Sequence, residues 1–449
     1  MEQYLVWLIA IVVSLIVFVP YTVRYMKVKQ SMEKRRSEAE SLGLDKPKAQ
    51  FPMVDRTLCI GCGACVSACP EGDVLGVVFG AAVIINGERC VGHGYCEVAC
   101  PVGALKVGLG DVTSRPDIPI LSPVNETSVP NLFIAGELSG LSLIKNAISQ
   151  GRMVVSEIAN RSKPLIETGT LDVVIVGAGP AGLAAALTAV EKELNYIVID
   201  EKEPGGTILH YPRRKLVMTQ PVELPLFGWL KRKEYSKEDL VAIWQEVLAQ
   251  FQLKIVANQR VEAVVKTGDL FTVTTSTTSY SARHVVLALG RRGSPRKLDV
   301  PGEELTKVMY RLEDAQSFSE NKLLVGGGGD SAVEAAVGLA KQPGNRVTIS
   351  YRKNGFFRIK KKNEDAINKL IKDRKITVVF DSQVTEVRPS TVLLKSRDGV
   401  QELPNDYIFV LIGGIPPFDM LKQMGIRFGG ECHQTTASSF KGLVQAARI

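Results

Sequence analysis

Near its start the chain runs for twenty residues, Tyr4–Val23, without a formal charge (YLVWLIAIVVSLIVFVPYTV). A helix needs about 20 apolar residues to cross the hydrocarbon of a bilayer. Positive charges follow the run at Arg24, Lys27, Lys29, Lys34, Arg35 and Arg36, whereas the residues before it are Met-Glu-Gln. A cleaved leader carries its charge ahead of the apolar run and small residues behind it. The pattern therefore predicts a retained single-pass anchor in the inner (cytoplasmic) membrane, with the C-terminal bulk on the cytoplasmic side. Residues 26–44 read as a charged helical linker close to the headgroups.

Beyond residue 170 the pattern changes. Short apolar runs (VVIVG at 173–177, YIVID at 196–200, HVVLALG at 284–290, KLLVGG at 322–327, RVTISY at 346–351) alternate with helical spacing. Strands that alternate with helices predict nucleotide-binding βαβ units around parallel sheets. Between the two regions, four prolines in Asp111–Pro130 mark an extended connection.

Composition narrows the picture only a little. The 449 residues are enough for two or three domains, and 45% hydrophobic with 23% charged is a globular balance. A net charge of +8 suits an anionic membrane surface and phosphorylated cofactors. The basic residues are dispersed and no aromatic–basic recognition motif occurs, so a nucleic-acid partner is not expected.

Cysteine placement changes the picture more. Seven of the eight cysteines lie between Cys59 and Cys100. They fall into two runs, Cys59-x2-Cys62-x2-Cys65-x3-Cys69-Pro70 and Cys90-x2-His93-x2-Cys96-x3-Cys100-Pro101. The first has the spacing of a loop that wraps an iron–sulfur cubane, and the second has the same spacing with histidine at one corner. In such pairs the fourth cysteine of each run reaches the other cluster. Cys59, Cys62, Cys65 and Cys100 are then expected around one 4Fe-4S cluster, and Cys69, Cys90, His93 and Cys96 around the second. His93 either ligates or leaves a 3Fe-4S cluster with one open corner. Zinc ribbons use two separated C-x2-C pairs without the Cys-Pro ending, and seven cysteines do not pair into disulfides. The segment resembles the bacterial two-cluster ferredoxins over nearly its whole length.

Two glycine turns follow. Gly177-Ala-Gly179-Pro-Ala-Gly182 sits between a strand and an alanine-rich helix, with Asp200 ending the next strand at the distance where an acid meets a ribose. The second, Gly327-Gly-Gly329-Asp330-Ser331-Ala332, is followed by a strand that ends in Arg352-Lys353 in place of an acid. Arginine at that position accommodates a 2′-phosphate, which favours NADPH over NADH. Arg358 and nearby lysines add charge, though most of them read as a solvated face.

These turns, with Val286–Gly290 followed by Pro301-Gly-Glu and with Phe409-Val-Leu-Ile-Gly413, resemble the thioredoxin-reductase-like flavoproteins over roughly residues 170–425. The resemblance implies FAD at the first turn, NADPH at the second, and Gly206, Thr207 and Gly290 near the flavin. No cysteine lies between Gly290 and Gly430, so the redox Cys pair of the disulfide-reducing members is missing. The chain looks closer to the ferredoxin–NADP reductases and bacillithiol-disulfide-reductase-like proteins of this fold. The family's closing segment, of the form P-x-L-F-x-A-G-D, has no counterpart after Gly430. Pro130-Asn-Leu-Phe-Ile-Ala-Gly136-Glu137 resembles it but precedes the first turn, which implies a circular permutation with Glu137 beside the flavin. His210 and Tyr211 are either flavin neighbours or packing residues, and Cys432 reads as inert.

The expected fold class is α/β, with two Rossmann-like domains, a small α+β ferredoxin domain and one transmembrane helix. The expected divisions are an anchor (1–24), a linker (25–50), a ferredoxin domain (51–110), a permuted closing segment (111–165), an FAD domain (166–295), an NADPH domain (296–408), and a return to the FAD domain with a tail (409–449). FAD exchanges two electrons with a nicotinamide and single electrons with clusters. The implied function is thus an NADPH-linked oxidoreductase with an electron-transfer partner at the membrane and a possible homodimeric state. The rivals are a bacillithiol-type disulfide reductase and a non-enzymatic membrane redox sensor. No side chain is assigned a catalytic acid–base role.

Overall fold

In a computed structural model the chain is described at residues 2–41, 50–109, 112, 115–161, 169–213, 215–218, 220–232, 234–357 and 359–430. It divides into two compact units, Met1–Gly108 and Leu109–Ile449.

The first unit begins with α1 (Glu2–Ser41), the one helix among the described residues long and apolar enough to cross a membrane. The apolar run and the charged segment after it form one continuous helix, so the segment expected as a charged helical linker is helical through Ser41. Charged residues are good helix formers, and i,i+4 pairs such as Lys34–Glu38 and Arg36–Glu40 extend the helix past the apolar run. The rest of the unit has β1 (Gln50–Val54), α2 (Ala64–Ala68), β2 (Leu75–Val78), β3 (Ala81–Ile84), α3 (Tyr95–Val98) and β4 (Leu105–Leu109). β1 pairs with β4, and β2 forms an antiparallel hairpin with β3. Their core is small, centred on Val74, Leu75, Ala82 and Leu105 together with Cys65 and Cys96. So few aliphatic side chains make a thin core, and proteins of this size commonly rely on bound metal to complete it.

In the second unit β5 (Leu132–Ile134) and α4 (Ile144–Arg161) come first, then β6 (Leu171–Val176), α5 (Pro180–Glu191) and β7 (Tyr196–Ile199). One sheet runs Ile255–Val256, β7, β6, Ser279–Leu287, Leu270–Thr275, Val261–Thr267, with β5 also paired to Ser279–Leu287. β5, β6 and Ser279–Leu287 are parallel, and their facing residues are buried, among them Leu132, Phe133, Val174, Ile175, Val285 and Val286. Strands buried on both faces read as continuous apolar runs, as these do. α6 (Lys237–Phe251) starts at a reciprocal cap between Ser236 and Asp239. It covers a further core around Trp244, Leu224 and Leu240.

A second parallel sheet orders Val308–Met309, Tyr407–Val410, Lys322–Gly326, Arg346–Tyr351 and Ile376–Phe380. It carries α7 (Asp330–Ala340) and α8 (Lys361–Lys372). Here one expected division is corrected: Phe409 belongs to this second sheet, between Lys322–Gly326 and Val308–Met309. Ile408 and Phe409 are fully buried there, and that burial outweighs the resemblance to a return strand. The return to the first sheet comes later, through α9 (Phe418–Gln423), Ile426 and Phe428.

Candidate functional site

Within the first unit the two cysteine runs fold into matching loops. Gly61 and Gly63 of the first have φ of 67° and 76°; Gly92 and Gly94 of the second have 76° and 81°. A Cβ on Gly61 would lie 2.2 Å from the Gly80 carbonyl oxygen, and one on Gly92 would meet the Gln50 side chain at 2.2 Å, so both loops need glycine there. Each loop leads into a short helix, α2 or α3, through the left-handed glycine. His93 therefore occupies the same backbone position as Cys62.

The loops enclose two cavities. One is lined by Cys59, Cys62, Cys65 and Cys100, the other by Cys69, Cys90, His93 and Cys96. Cys100 lines the first cavity and Cys69 the second, each beside residues of the other run. The two hollows are of similar size and are lined in the same way, so histidine in place of cysteine does not close the second. Amides point at sulfur: Ala82 N–H donates to Cys59 Sγ at 3.3 Å and Ala104 N–H to Cys100 Sγ at 3.2 Å. Burial pushes the Cys65, Cys69 and Cys90 thiols up and Cys96 to about 11, so these thiols keep their protons unless a metal replaces them. Among the described residues no three His, Cys, Asp or Glu side chains converge on the point a single ion would need. Sulfurs spaced around a cavity, with amides aimed at them, fit a cluster better than a lone ion. On the second cavity, His93 Nδ1 lies 3.9 Å from Glu71 Oε1, and its ring stacks on Tyr95.

In the second unit the first glycine turn is joined by distant segments. Ala178 N–H donates to Asp200 Oδ2 at 2.6 Å, and Gly205 N–H donates to the Ala178 carbonyl at 2.9 Å. Burial pushes the Asp200 carboxyl up, against the lowering effect of its amide hydrogen bonds. A Cβ on Gly206 would meet Gly179 at 2.8 Å, and Thr207 follows in the same turn. Gly136 comes within reach of Ala181, where a Cβ would lie 3.2 Å from the Ala181 Cβ. Its N–H donates to Gln150 Oε1 at 2.7 Å. At Gly290 and at Gly329 a Cβ would meet no other atom, so neither turn is packed against the protein.

Gly177, Gly179, Gly182, Asp200, Gly206, Thr207, Gly136 and Glu137 thus gather from four chain segments. Glu137 is exposed, and its charge, after burial, helps to push the Tyr211 hydroxyl up. Tyr211 itself packs against the Trp244 core, and Lys237 Nζ donates to its carbonyl at 2.7 Å. His210 lies 3.4 Å from Arg311; burial first, then Lys202 and Arg311, push its pKa down.

At the second turn Ala332 is fully buried against Gly327, and Ser331 is exposed. Asp330 points to α8: its Oδ1 accepts from Lys360 N–H at 2.9 Å and Asn363 Nδ2 at 2.6 Å. Arg352, the residue after the strand Arg346–Tyr351, is exposed. Arg358 and Cys432 lie outside the described residues.

Some site residues escaped the sequence reading. Gln150 holds the Gly136 turn, and Gly151 lets α4 lie on α5, since a Cβ there would sit 2.1 Å from the Ala181 carbonyl. A glycine inside a helical pattern was the available signal. Tyr351 lies across Gly328, and Asp117 pairs with both Arg115 and Arg291.

Residues 51–101 match the family described as a 4Fe-4S dicluster domain, and residues 174–438 match pyridine nucleotide-disulphide oxidoreductase. The chain is 29% identical over 264 residues to a ferredoxin–NADP reductase of Ignicoccus hospitalis, a span of 58% of this chain and 83% of that one. It is 28% identical over 267 residues to bacilliredoxin reductase Bdr of Bacillus subtilis, covering 58% and 81%. Among solved structures, bacillithiol disulfide reductase Bdr from Bacillus cereus superposes with a TM-score of 0.53 at 28% identity, covering 58% of this chain and 83% of that one. The chain belongs to the pyridine nucleotide-disulphide oxidoreductase family, and is an FAD-dependent oxidoreductase of the ferredoxin and thioredoxin reductase type that also carries an iron–sulfur domain.

Proposed function

We propose that the chain moves electrons between NADPH and an acceptor at the cytoplasmic face of the membrane, through FAD and two iron–sulfur clusters. The observation that carries this reading is the pair of cavities, each ringed by side chains from both cysteine runs. FAD, when bound, links two-electron exchange with a nicotinamide to one-electron exchange with clusters. Around it the chain's own residues bind and orient. The free N–H groups at the start of α5 face the pyrophosphate, and Asp200 stands at the ribose end.

Residues 111–165 are the family's closing FAD segment, moved to the front of the domain. The pairing of β5 alongside Ser279–Leu287 supports this, as does the nearness of Gly136 to the first turn. Asp330 orients the start of α8 and leaves the amides of α7 to the second dinucleotide. NADPH is favoured over NADH because Arg352 stands where an acid would select NADH. His93, with Nδ1 turned to Glu71, offers Nε2 as the fourth ligand of the second cluster. α1 is the membrane anchor.

A second reading, reduction of a low-molecular-weight disulfide, has the similarity to bacillithiol disulfide reductase in its favour. Anaerobic addition of NADPH to the purified protein decides between them. Bleaching of both flavin and cluster absorbance, with fast ferricyanide or viologen turnover, supports electron transfer. Fast turnover of a disulfide with the clusters left oxidised overturns it. A redox sensor would show slow turnover with every acceptor.

A further inference from the structure

The β2–β3 hairpin lies along α1 in a fixed direction. Arg35 Nη1 meets Asp73 Oδ1 at 2.5 Å, Val77 N–H donates to Met32 Sδ at 3.3 Å, and Lys29 Nζ stands 5.3 Å from the Phe79 ring centroid. As the hairpin runs from Asp73 to Phe79, its contacts on the helix step back from residue 35 to residue 29. Its tip therefore points toward the apolar run. Met32 packs against Val78, Val83 and Ile85, so the alignment is held by apolar burial as well as by charge.

The tip is built from Phe79 and Gly80, both at positive φ (52° and 76°). A two-residue hairpin turn of this kind favours Asn-Gly or Asp-Gly, and a bulky side chain there is strained. Phe79 is nonetheless 79% exposed, and Lys29 covers only part of its ring while also pairing with Glu33 at 3.9 Å. A large aromatic held in a strained turn with little to pack against fits a ligand better than it fits folding. Lys29 lies six residues beyond Val23, about 9 Å along a helix. That is the depth of the headgroup region above an apolar segment ending at Val23, where aromatic rings and lysines gather.

We propose that Phe79, with Lys29 beneath it, inserts into the headgroup layer of an anionic lipid surface and holds the iron–sulfur unit down on the bilayer. This rests on the reading of α1 as an anchor. Because Gly80 packs against Gly61, the loop that carries Cys59, Cys62 and Cys65 is the part of the unit brought nearest the lipid. Ile60 and Cys62 in that loop are exposed, so this cluster site is the one presented to an acceptor at the membrane surface.

The test is photocrosslinking of the full cluster-loaded chain in vesicles of phosphatidylethanolamine and phosphatidylglycerol. Two variants are compared, Phe79→p-benzoylphenylalanine and Ile16→p-benzoylphenylalanine. A phospholipid adduct on the peptide that contains residue 79 is the expected result. A lipid adduct at 16 without one at 79 overturns the proposal and leaves the anchor standing. No lipid adduct at either position removes the anchor reading and the proposal with it. Phe79→Asn, which suits the turn, is expected to keep full iron content; loss of the clusters in that variant would make Phe79 a folding residue and overturn the proposal.

Discussion

Leu132 and Val285 sit side by side in adjacent parallel strands, although one precedes the first glycine turn and the other follows it. The sheet that holds that turn is therefore completed by a segment from ahead of it, and α4, which follows Leu132, lies along α5. Within that contact Gly151 sits beneath the Ala181 carbonyl, where a Cβ would lie 2.1 Å from the oxygen. Backbone cannot yield there as a flexible side chain would. Gly151→Val is expected to destabilise the second unit by about 3 kcal/mol, the upper end for overpacking a filled core. Thermal unfolding followed by flavin release measures it. An unchanged midpoint would mean that residues 130–161 are not part of this core.

Glu137 is predicted to contact the bound flavin cofactor. Loss of a hydrogen bond to a charged group costs about 1.5–3 kcal/mol, so Glu137→Ala should release FAD at least about tenfold more readily. The FAD retained through gel filtration, compared with wild type, reports this. Full retention would place the acid away from the cofactor.

Arg352→Ala should lower kcat/KM for NADPH by about tenfold or more, on the same charge-assisted magnitude, with little change for NADH. Steady-state kinetics with both nucleotides, using ferricyanide as acceptor, separate the two. Equal losses for NADPH and NADH would show that Arg352 does not read the 2′-phosphate.

His93 should set the two clusters apart in potential. A neutral imidazole in place of a thiolate leaves the cluster less negative and easier to reduce. Redox titration by EPR should then give two separate midpoints, and His93→Cys should lower one while four irons remain in that cluster. A stoichiometric three-iron signal that resists added ferrous iron would remove His93 from the ligands.

His284 is buried in the first sheet, with Nδ1 3.0 Å from the Asp172 carbonyl, and burial pushes its pKa down. The unfolded chain, with a histidine pKa of about 6.5, then binds the proton more readily than the fold does. Stability contributed by neutral His284 is present above about pH 6.5 and is lost as pH falls through the lower folded value. Between pH 7 and 5 the thermal midpoint of the second unit should fall less in His284→Gln than in wild type. Parallel falls would assign the acid sensitivity elsewhere.

Local chemistry made much of this protein legible in its sequence. A cluster loop needs two or three residues between successive ligands, with glycine among them, so Cys59–Cys69 and Cys90–Cys100 declare themselves without a fold. Both glycine turns and the apolar run are equally short-range, since each is set by backbone geometry or by bilayer thickness within one segment. Tertiary structure alone decided what depends on distant pairing. Phe409 looked like a strand of the first sheet, but burial between Val308–Met309 and Lys322–Gly326 placed it in the second. The charged stretch after Val23 read as a helical linker, but only the fold shows that its Met32, Lys29 and Arg35 fix the direction of the β2–β3 hairpin. Asp330 belongs by motif to a nucleotide turn, but the approach of α8 gave it Lys360 and Asn363 as partners. Spacing records what a segment does to itself; which segments then meet is decided by the burial of apolar faces that no single stretch contains.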